Sequence, residues 1–292
     1  MRMARRARFS CLFLALCLAL AVLGTASRGI SRPAVWGGMR CRGARLVAAD
    51  LPTVVPARDG GAGRESLAIP VAKDVASLSI IRHAHYTIGY STKWLQPAWV
   101  AYALEPEELK KNVPRQNSFA DDPLYLGREA TSADYKNSGY SRGHLAPSAD
   151  MRFSQQAMEE CFYFTNVAPQ FIAFNSGIWN SLEQKVRAWA AEFGTIFIAT
   201  GPCFIGKPLD YIGHQRVPVP THFYKALLMQ RNNQWYGIAF LIPHRTHKGK
   251  VKQFACSIDQ LEEAVQIDFF PQLPDSVEEP LEAQLQRAPW FN

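Results

Sequence analysis

The chain has 292 residues, 48% of them hydrophobic, which is enough to form a packed core in one large domain or two small ones. Its net charge of +7 is unevenly distributed: residues 1–65 contain 11 arginines against three acidic residues, whereas the remainder contains 21 basic and 22 acidic residues. The basic character therefore belongs to the N-terminal segment, and the overall charge does not indicate a nucleic-acid partner for the body.

Residues 1–26 have the pattern of a targeting segment. Four arginines precede an apolar run from Phe9 to Leu23, and small residues follow up to Ala26. This order is typical of a secretory signal peptide, and the run is shorter than the roughly 20 residues of a membrane span. We therefore predict a secreted or periplasmic protein without stable membrane association after processing. A mitochondrial presequence is the alternative, because no acidic residue occurs before Asp50, although the unbroken apolar run argues against an amphipathic segment.

The rest of the chain divides into three parts. Residues 27–68 are rich in Gly, Ala, Arg and Pro without a sustained period, which predicts a linker or disordered arm. Residues 69–274 form the predicted domain, and residues 275–292 form a polar, acidic tail. The cysteines outside the first 26 residues are too few for a disulfide scaffold, and both one disulfide and buried free thiols fit Cys41, Cys161, Cys203 and Cys256.

Hydrophobic patterns within the domain predict five strands and two helices. Apolar residues at helical spacing predict a helix over Ile178–Phe193, and Ser257, with Gln260 as its reciprocal capping partner, predicts the start of a second. Strands and helices do not alternate as in βαβ units, so the fold class is α+β. The predicted strands are Ala98–Leu104, Cys161–Val167, Thr195–Thr200, His222–Met229 and Trp235–Ile242.

The first cluster of side chains suited to catalysis is the segment YSRGHLAPSAD at Tyr140–Asp150. Histidine is the side chain best suited to accept a proton near neutral pH, which makes His144 a candidate general base. On an extended backbone Arg142 projects to the same side and can hold an anion beside the imidazole. A structural histidine next to an arginine in a turn is the alternative interpretation.

Two further clusters supply amides and a carboxylate. Asn166 and Gln170 flank Pro169 in the segment FTNVAPQ, and Asn175 stands at the expected start of a helix, eight residues before Glu183. Eight residues rise roughly 12 Å along a helix, so direct binding of one ion by both is excluded unless the helix starts late. Direct binding through Asn175 and water-mediated binding through Glu183 suits Mg²⁺, which keeps most of its waters. Taken singly, an N-cap and a solvated glutamate are the alternatives.

Together these clusters resemble the DNA/RNA non-specific endonuclease family, which includes endonuclease G and secreted bacterial nucleases. Its members carry a DRGH motif, an N-x3-Q element and an Asn/Glu pair at the spacing of Asn175 and Glu183. The resemblance runs from about Trp99 to Pro274 and includes PTHFYK at Pro220–Lys225 and IDFFPQLP at Ile267–Pro274. It implies a ββα-metal fold with an antiparallel central sheet and flanking helices.

The resemblance also implies the chemistry. It implies a nuclease that hydrolyses DNA and RNA to 5′-phosphate and 3′-hydroxyl ends. The implied cofactor is Mg²⁺, for which Mn²⁺ can substitute. A homodimer is left open as an alternative to a monomer. The residues that match are His144 as general base, Asn175 as magnesium ligand, Glu183 as the residue that orients metal-bound water, Asn166 as support, and Arg142 and Arg115 as phosphate-binding residues. A non-catalytic binding protein and a metal-dependent phosphatase acting on small esters are the rival functions.

The match departs from the family at one position, because Ser141 stands where the family has aspartate. A hydroxyl can only hydrogen-bond, whereas a carboxylate would also pair with basic neighbours. We therefore expect changed electrostatic interactions within the site and retained activity. Among the other histidines, we expect His222 to be structural. His244 and His247 are predicted to lie on a solvated loop whose three lysines form a basic patch, Lys248, Lys250 and Lys252.

Overall fold

A computed structural model describes residues 65–73 and 77–291 of the chain. The predicted targeting segment, most of the predicted arm and Cys41 lie outside the described residues. Within them, Cys161, Cys203 and Cys256 are free thiols. None of the helices in these two ranges is long and apolar enough to cross a bilayer.

A seven-stranded antiparallel sheet forms the centre of the fold, in the spatial order β12-β11-β10-β7-β4-β3-β2. Three two-stranded pairs, β1 with β13, β5 with β6 and β8 with β9, complete the strands. In chain order the strands are β1 (Val71–Ala72), β2 (Leu78–Arg82), β3 (Thr87–Ser91), β4 (Gln96–Leu104), β5 (Tyr140–His144), β6 (Val167–Phe171), β7 (Ile196–Cys203), β8 (Tyr211–Ile212), β9 (Val217–Pro218), β10 (His222–Arg231), β11 (Gln234–Pro243), β12 (Ala255–Cys256) and β13 (Ile267–Asp268).

Short helices flank the sheet. A π-helical turn, Asn175–Trp179, joins the helices Ile172–Phe174 and Asn180–Phe193 and carries the first of the predicted metal-binding residues. Short 3₁₀ helices cover Glu65–Ala68, Pro106–Leu109, Phe164–Asn166 and Val251–Phe254. The α-helices are α1 (Ser132–Tyr135), α2 (Gln155–Glu160), α3 (Ile172–Phe174), α4 (Asn180–Phe193), α5 (Ile258–Val265) and α6 (Asp275–Glu282).

The sheet is buried on both faces. Strand β10 is buried from Phe223 to Met229, and its residues alternate between two hydrophobic clusters, which is why it reads as a continuous apolar run. One cluster contains the inner face of α4, including Leu182 and Val186. The other contains residues of α5 and α6. The α+β prediction with an antiparallel central sheet and flanking helices is confirmed.

Four predicted strands coincide with β4, β7, β10 and β11 to within three residues at either end, but the prediction for Cys161–Val167 is wrong. Residues Phe164–Asn166 form a 3₁₀ turn, and β6 begins only at Val167. Phe162 and Phe164 are buried, which gave the segment an alternating apolar pattern. The side chain of Asn166 bonds to two backbone segments, and these bonds hold a turn instead of a strand.

The helix predictions hold with shifted starts, whereas the predicted tail is structured. Ser257 caps α5, with Gln260 returning the bond to its backbone. The predicted helix over Ile178–Phe193 corresponds to the end of the π-helical turn and α4. Within the predicted tail, residues 275–291 do not extend away from the domain, because α6 packs Leu281 into the core and Trp290 is buried against α4. The acidic composition concealed these apolar anchors. At the other boundary, Ala68 is buried within the segment predicted as an arm.

Candidate active site

Strands β5 and β6 place the first two clusters side by side. They pair antiparallel, with His144 opposite Val167 and Ser141 opposite Gln170. Glycine is required at position 143 of β5, because a Cβ there would collide with the side chain of Gln170 on β6. Because side chains alternate along a strand, Tyr140, Arg142 and His144 share one face of β5.

The imidazole of His144 packs against two phenylalanine rings, which also contact each other with their centroids 4.9 Å apart. Its centroid is 5.1 Å from that of Phe119 and 4.7 Å from that of Phe162, the second in edge-on contact. The Nε2 atom is buried, and none of the residues that the structure describes offers it a hydrogen-bond partner. A buried polar atom without a partner is costly, so this nitrogen is a candidate for contact with a ligand or water.

Electrostatics keep His144 neutral. Burial, and to a lesser extent the positive charge of Arg115, lowers the pKa of His144 from 6.5 to about 3. A hydrogen bond to the backbone of Arg142 acts in the opposite direction, and since Nε2 has no partner this bond uses Nδ1. The proton of the neutral ring therefore sits on Nδ1, and Nε2 presents a lone pair that can accept a proton.

Two arginines contact the same phenylalanine rings that pack against the imidazole. The guanidinium of Arg142 lies 5.0 Å from the Phe119 centroid, and that of Arg115 lies 5.1 Å from the Phe162 centroid. Arg142 also donates to Ser132 Oγ at 3.1 Å, while its buried Nε finds no partner in the described part of the chain. Arg115 is exposed. The arrangement places two cations against the rings that contact one neutral imidazole, and such a group of side chains suits an anion.

Asn166 positions the segment after His144. Its Oδ1 accepts from the Ala146 amide at 3.0 Å, and its Nδ2 donates to the carbonyls of Ala146 at 3.0 Å and Cys161 at 2.8 Å. The side chain is fully buried, and these bonds engage both ends of its amide. Its contacts fix the backbone that follows His144, and they leave no amide group directed at a ligand.

Asn175 lies beside the same strand pair. Its Nδ2 donates to Ser141 Oγ at 3.1 Å, and Ser141 Oγ donates to the Gln170 carbonyl at 3.0 Å. Asn175 has helical backbone angles and follows α3, so it is not the N-cap that its position in the sequence suggested. Because its nitrogen is bound to Ser141, its Oδ1 is the end available to a cation.

Glu183 belongs to a buried charged network and is not a solvated helix residue. Burial raises the pKa of Glu183 and lowers that of Lys225, while each charge favours the ionised form of the other. Arg187, one turn further along α4, donates to Asp150 Oδ1 at 2.7 Å. Asp150 also accepts from Tyr102 at 2.9 Å. Lys225, Asp150 and Arg187 are thus the charged groups that interact with Glu183.

Sequence reasoning did not assign a role to Lys225, Arg187 or Asp150. Lys225 is 1% exposed, donates to Thr200 Oγ1 at 3.2 Å and lies 4.7 Å from the Trp179 ring centroid. A lysine in the middle of the apolar strand HFYKALLM was a usable signal, because a buried ammonium requires partners. The four-residue spacing of Glu183 and Arg187 was another.

His244 does not lie on a solvated loop, so that prediction is wrong. It is 2% exposed, its Nδ1 bonds to the Pro220 carbonyl at 2.8 Å, and its Nε2 accepts from the Phe171 amide at 2.7 Å. Burial lowers the pKa of His244 to about 4. The ring joins the end of β6 to the start of β10 and anchors the turn that leads to Asn175. The lysines after it are exposed, as expected for Lys248, Lys250 and Lys252.

His222 and His247 have structural partners. His222 is half-buried in β10 and contacts Thr221 Oγ1 at 3.0 Å, and His247 contacts the Pro243 carbonyl at 2.7 Å. Two overlapping groups of carboxylates come close enough to hold a cation elsewhere, around α5, β13 and α6. They involve Asp259, Glu262, Asp268, Glu278 and Glu282 and lie outside the His144 site.

The fold and site together define a class. An antiparallel strand pair followed by a helix, with a histidine at the end of the first strand and an amide oxygen at the start of the helix, is the ββα-metal arrangement. Residues 66–276 match the family model described as DNA/RNA non-specific endonuclease. The chain therefore belongs to the DNA/RNA non-specific endonuclease family, as the sequence motifs predicted.

Individual relatives agree with this assignment. Endonuclease G, mitochondrial, from Bos taurus is 37% identical over 194 residues, which cover 63% of this chain and 64% of the relative. Nuclease C1 from Cunninghamella echinulata var. echinulata is 33% identical over 204 residues, covering 64% and 81% respectively. The crystal structure of an EndoG/EndoGI complex matches with a TM-score of 0.63 and 27% identity over 68% of this chain and 88% of that chain.

The match spans only part of several relatives. It covers 64% of the bovine endonuclease G and 52% of Endonuclease G, mitochondrial, from Homo sapiens, where identity is 37% over 156 residues. The relatedness is therefore established for the folded region that contains the site.

Proposed function

We propose that this protein is a magnesium-dependent nuclease that hydrolyses phosphodiester bonds of DNA and RNA to 5′-phosphate and 3′-hydroxyl ends. The observation that carries the proposal is the neutral imidazole of His144, whose buried Nε2 is unpartnered among the described residues. Arg115 and Arg142 contact the two phenylalanine rings against which this imidazole packs. Family membership supports the same activity.

In this mechanism His144 Nε2 removes a proton from the attacking water. A free-enzyme pKa of about 3 makes the ring neutral at physiological pH but also a weak base. A phosphate bound between the arginines offsets their positive field and favours the imidazolium, so the pKa rises when substrate is present. The hydrogen bond from Nδ1 to the Arg142 backbone stabilises the protonated ring. The basicity of His144 is therefore higher in the complex with substrate than in the free enzyme.

The two arginines bind the scissile phosphate and stabilise the additional negative charge of the transition state. Arg142 is held by Ser132 and by its contact with Phe119, so it is positioned before substrate arrives. Arg115 is exposed and bonds to Ser148 at 3.2 Å and Asn117 at 2.9 Å. Since both arginines recognise phosphate and neither reads a base edge, cleavage is insensitive to sequence.

The residues present fit a hard divalent cation. Asn175 presents an amide oxygen fixed through Ser141, and Glu183 adds a carboxylate whose charge Lys225 favours. Oxygen donors with room for several waters match Mg²⁺, and Mn²⁺ accepts the same ligands. We propose that Asn175 holds the ion directly and Glu183 holds its waters. When bound, the ion supplies positive charge for the phosphate oxygens and the departing 3′ oxygen.

Incubation of the purified protein with plasmid DNA and with RNA tests the proposal. We expect degradation of both in Mg²⁺, none in excess chelator, and products that a 5′-phosphate-dependent exonuclease accepts. Release of inorganic phosphate from small esters without polymer cleavage would favour the phosphatase alternative. Tight binding without cleavage in either Mg²⁺ or Mn²⁺ would favour a non-catalytic protein.

Targeting and assembly are proposed separately. The relatives described as mitochondrial favour the presequence alternative for residues 1–26 over the export that the apolar run suggests. Imaging of a reporter fused after residue 68 distinguishes mitochondrial import from secretion. A homodimer remains an alternative to a monomer, and sedimentation of the purified protein decides between them.

A further inference from the structure

The hairpin of β8 and β9 carries an exposed aromatic side chain that the mechanism does not use. Tyr211 is 46% exposed, and the other tyrosines, phenylalanines and tryptophans in the described ranges are all more buried. The guanidinium of Arg216, from the other side of the hairpin turn, lies 4.7 Å from its ring centroid. An aromatic ring paired with arginine is a surface on which planar groups stack.

This hairpin is hydrogen-bonded to α1, the helix whose Ser132 accepts a hydrogen bond from Arg142. Gln215 donates from its backbone to Asp134 Oδ1 at 3.0 Å and from Nε2 to Asp134 Oδ2 at 2.9 Å. Asp134 is 2% exposed and lies on α1, two residues after the Ser132 that accepts from Arg142. At Gly213 a Cβ would collide with Asp134, so the hairpin approaches α1 as closely as its backbone allows.

A second connection joins the hairpin to the catalytic strand. Asp210 accepts from the Tyr140 hydroxyl at 3.4 Å through Oδ2 and from the Tyr211 amide at 2.7 Å through Oδ1. Tyr140 is the first residue of β5 and shares a face with Arg142 and His144. Tyr140 and His144 lie roughly 13 Å apart along β5, so the hairpin is connected to this strand at the end away from His144.

We propose that Tyr211 and Arg216 form a stacking platform for an unpaired nucleobase of the substrate, a few nucleotides from the scissile phosphate. The inference rests on the proposed nuclease function. Bases in a duplex are stacked on each other and are not available to a side chain, whereas bases of a single strand are. The platform therefore favours single-stranded over double-stranded nucleic acid without reading sequence.

Binding without cleavage tests the platform. Fluorescence anisotropy in chelator measures the affinity for a 12-nucleotide single strand, the same strand with abasic sites and its duplex. We expect Tyr211→Ala to weaken binding of the single strand about fivefold or more, the low end of what stacking one base on an aromatic ring contributes. Binding of the abasic strand and the duplex should change less than twofold.

Two matched variants serve as controls. Tyr211→Phe keeps the ring and should bind like the unmodified protein. Arg231→Ala removes an arginine that lies 5.1 Å from the Phe193 ring centroid at the far end of β10, so it repeats the charge loss of Arg216→Ala away from the hairpin. Arg216→Ala should weaken single-strand binding, and Arg231→Ala should not.

The outcomes separate this inference from the proposed function. Equal losses on all three ligands, or unchanged single-strand binding in a folded Tyr211→Ala protein, would overturn the platform even if cleavage is intact. If the unmodified protein shows the expected pattern of binding but cleaves nothing in Mg²⁺, the nuclease proposal fails while the platform stands.

Discussion

The side-chain amide of Asn175 donates to the hydroxyl of Ser141 at 3.1 Å, and that hydroxyl donates onward to the Gln170 carbonyl at 3.0 Å. Ser141 thus links the strand that carries His144 to the helix start that carries the proposed magnesium ligand. Family motifs place an aspartate at this position. A serine can still accept from Asn175, so the orientation of the amide is kept while one negative charge near the metal site is lost.

Replacing Ser141 should therefore change metal dependence before it changes anything else. In Ser141→Ala the Asn175 amide loses its fixed acceptor, and a hydrogen bond of this kind contributes about 0.5–1.5 kcal/mol. We expect the Mg²⁺ concentration for half-maximal cleavage to rise roughly two- to tenfold, with a smaller change in the rate at saturating Mg²⁺. Cleavage rates over a Mg²⁺ titration measure both quantities.

Ser141→Thr is the matched control, because it keeps the hydroxyl. It should retain a Mg²⁺ requirement close to that of the unmodified protein. An unaltered Mg²⁺ requirement in Ser141→Ala would mean that the contact with Asn175 does not orient the metal ligand.

Glu183 and Lys225 should show coupling in stability, because each charge favours the ionised form of the other. Lys225→Met leaves the carboxylates of Glu183 and Asp150 with Arg187 as the remaining cation, so we expect it to destabilise the protein. Adding Glu183→Gln removes the uncompensated charge, so the double variant should be more stable than the sum of the single effects predicts. Urea unfolding of the four proteins gives the coupling free energy, and additive effects would show that the pair does not interact.

The Ser141–Asn175 contact shows which features of the site could be predicted from the sequence and which could not. The motifs group His144, Arg142, Asn175 and Glu183 in one site, because short spacings along a strand and a helix determine which side chains are near each other, and this grouping stays a prediction. The Ser141–Asn175 contact joins residues 34 positions apart and depends on how β5 and β6 pair. Nothing in a single sequence fixes that pairing.

Burial was the other quantity that local patterns misjudged. His244 follows a proline and precedes basic residues, which is typical of a solvated loop, yet β10 and β6 enclose it. The tail looked polar because its acidic residues outnumber its apolar anchors. In both cases tertiary packing determined the environment, while the long apolar strands could be predicted because their burial on two faces shows directly in the sequence.

His244 should make the protein sensitive to acid. Its pKa is about 4 in the folded state against 6.5 in an unfolded chain, so its contribution to stability is complete above pH 6.5 and is lost as the pH falls from 6.5 to 4. The loss amounts to about 3 kcal/mol. His244→Gln removes this titration, so its free energy of unfolding should fall less between pH 7 and pH 4.5. Parallel slopes for the two proteins would contradict the assignment, whatever their absolute stabilities.

The two arginines should each contribute one phosphate contact. Removing one contact to a duplex lowers the slope of log affinity against log salt concentration by about 0.9. We expect Arg142→Ala and Arg115→Ala each to reduce the slope by about this amount, equally on two duplexes of unrelated sequence. Arg231→Ala, which removes the same charge far along β10, should leave the slope unchanged. An equal reduction in that control would mean that net charge, and not specific contact, sets the salt dependence.

The assignment of His144 as general base is tested most directly by the Mg²⁺-dependent cleavage rate of His144→Ala, measured with and without added imidazole. Loss of a general base costs about 10²–10⁴-fold in rate. The space that the imidazole leaves beside Phe119 and Phe162 can admit free imidazole, so we predict such a loss with native-like near-ultraviolet circular dichroism and partial recovery as imidazole is added. A folded His144→Ala protein that cleaves DNA at a near-normal rate would contradict the mechanism.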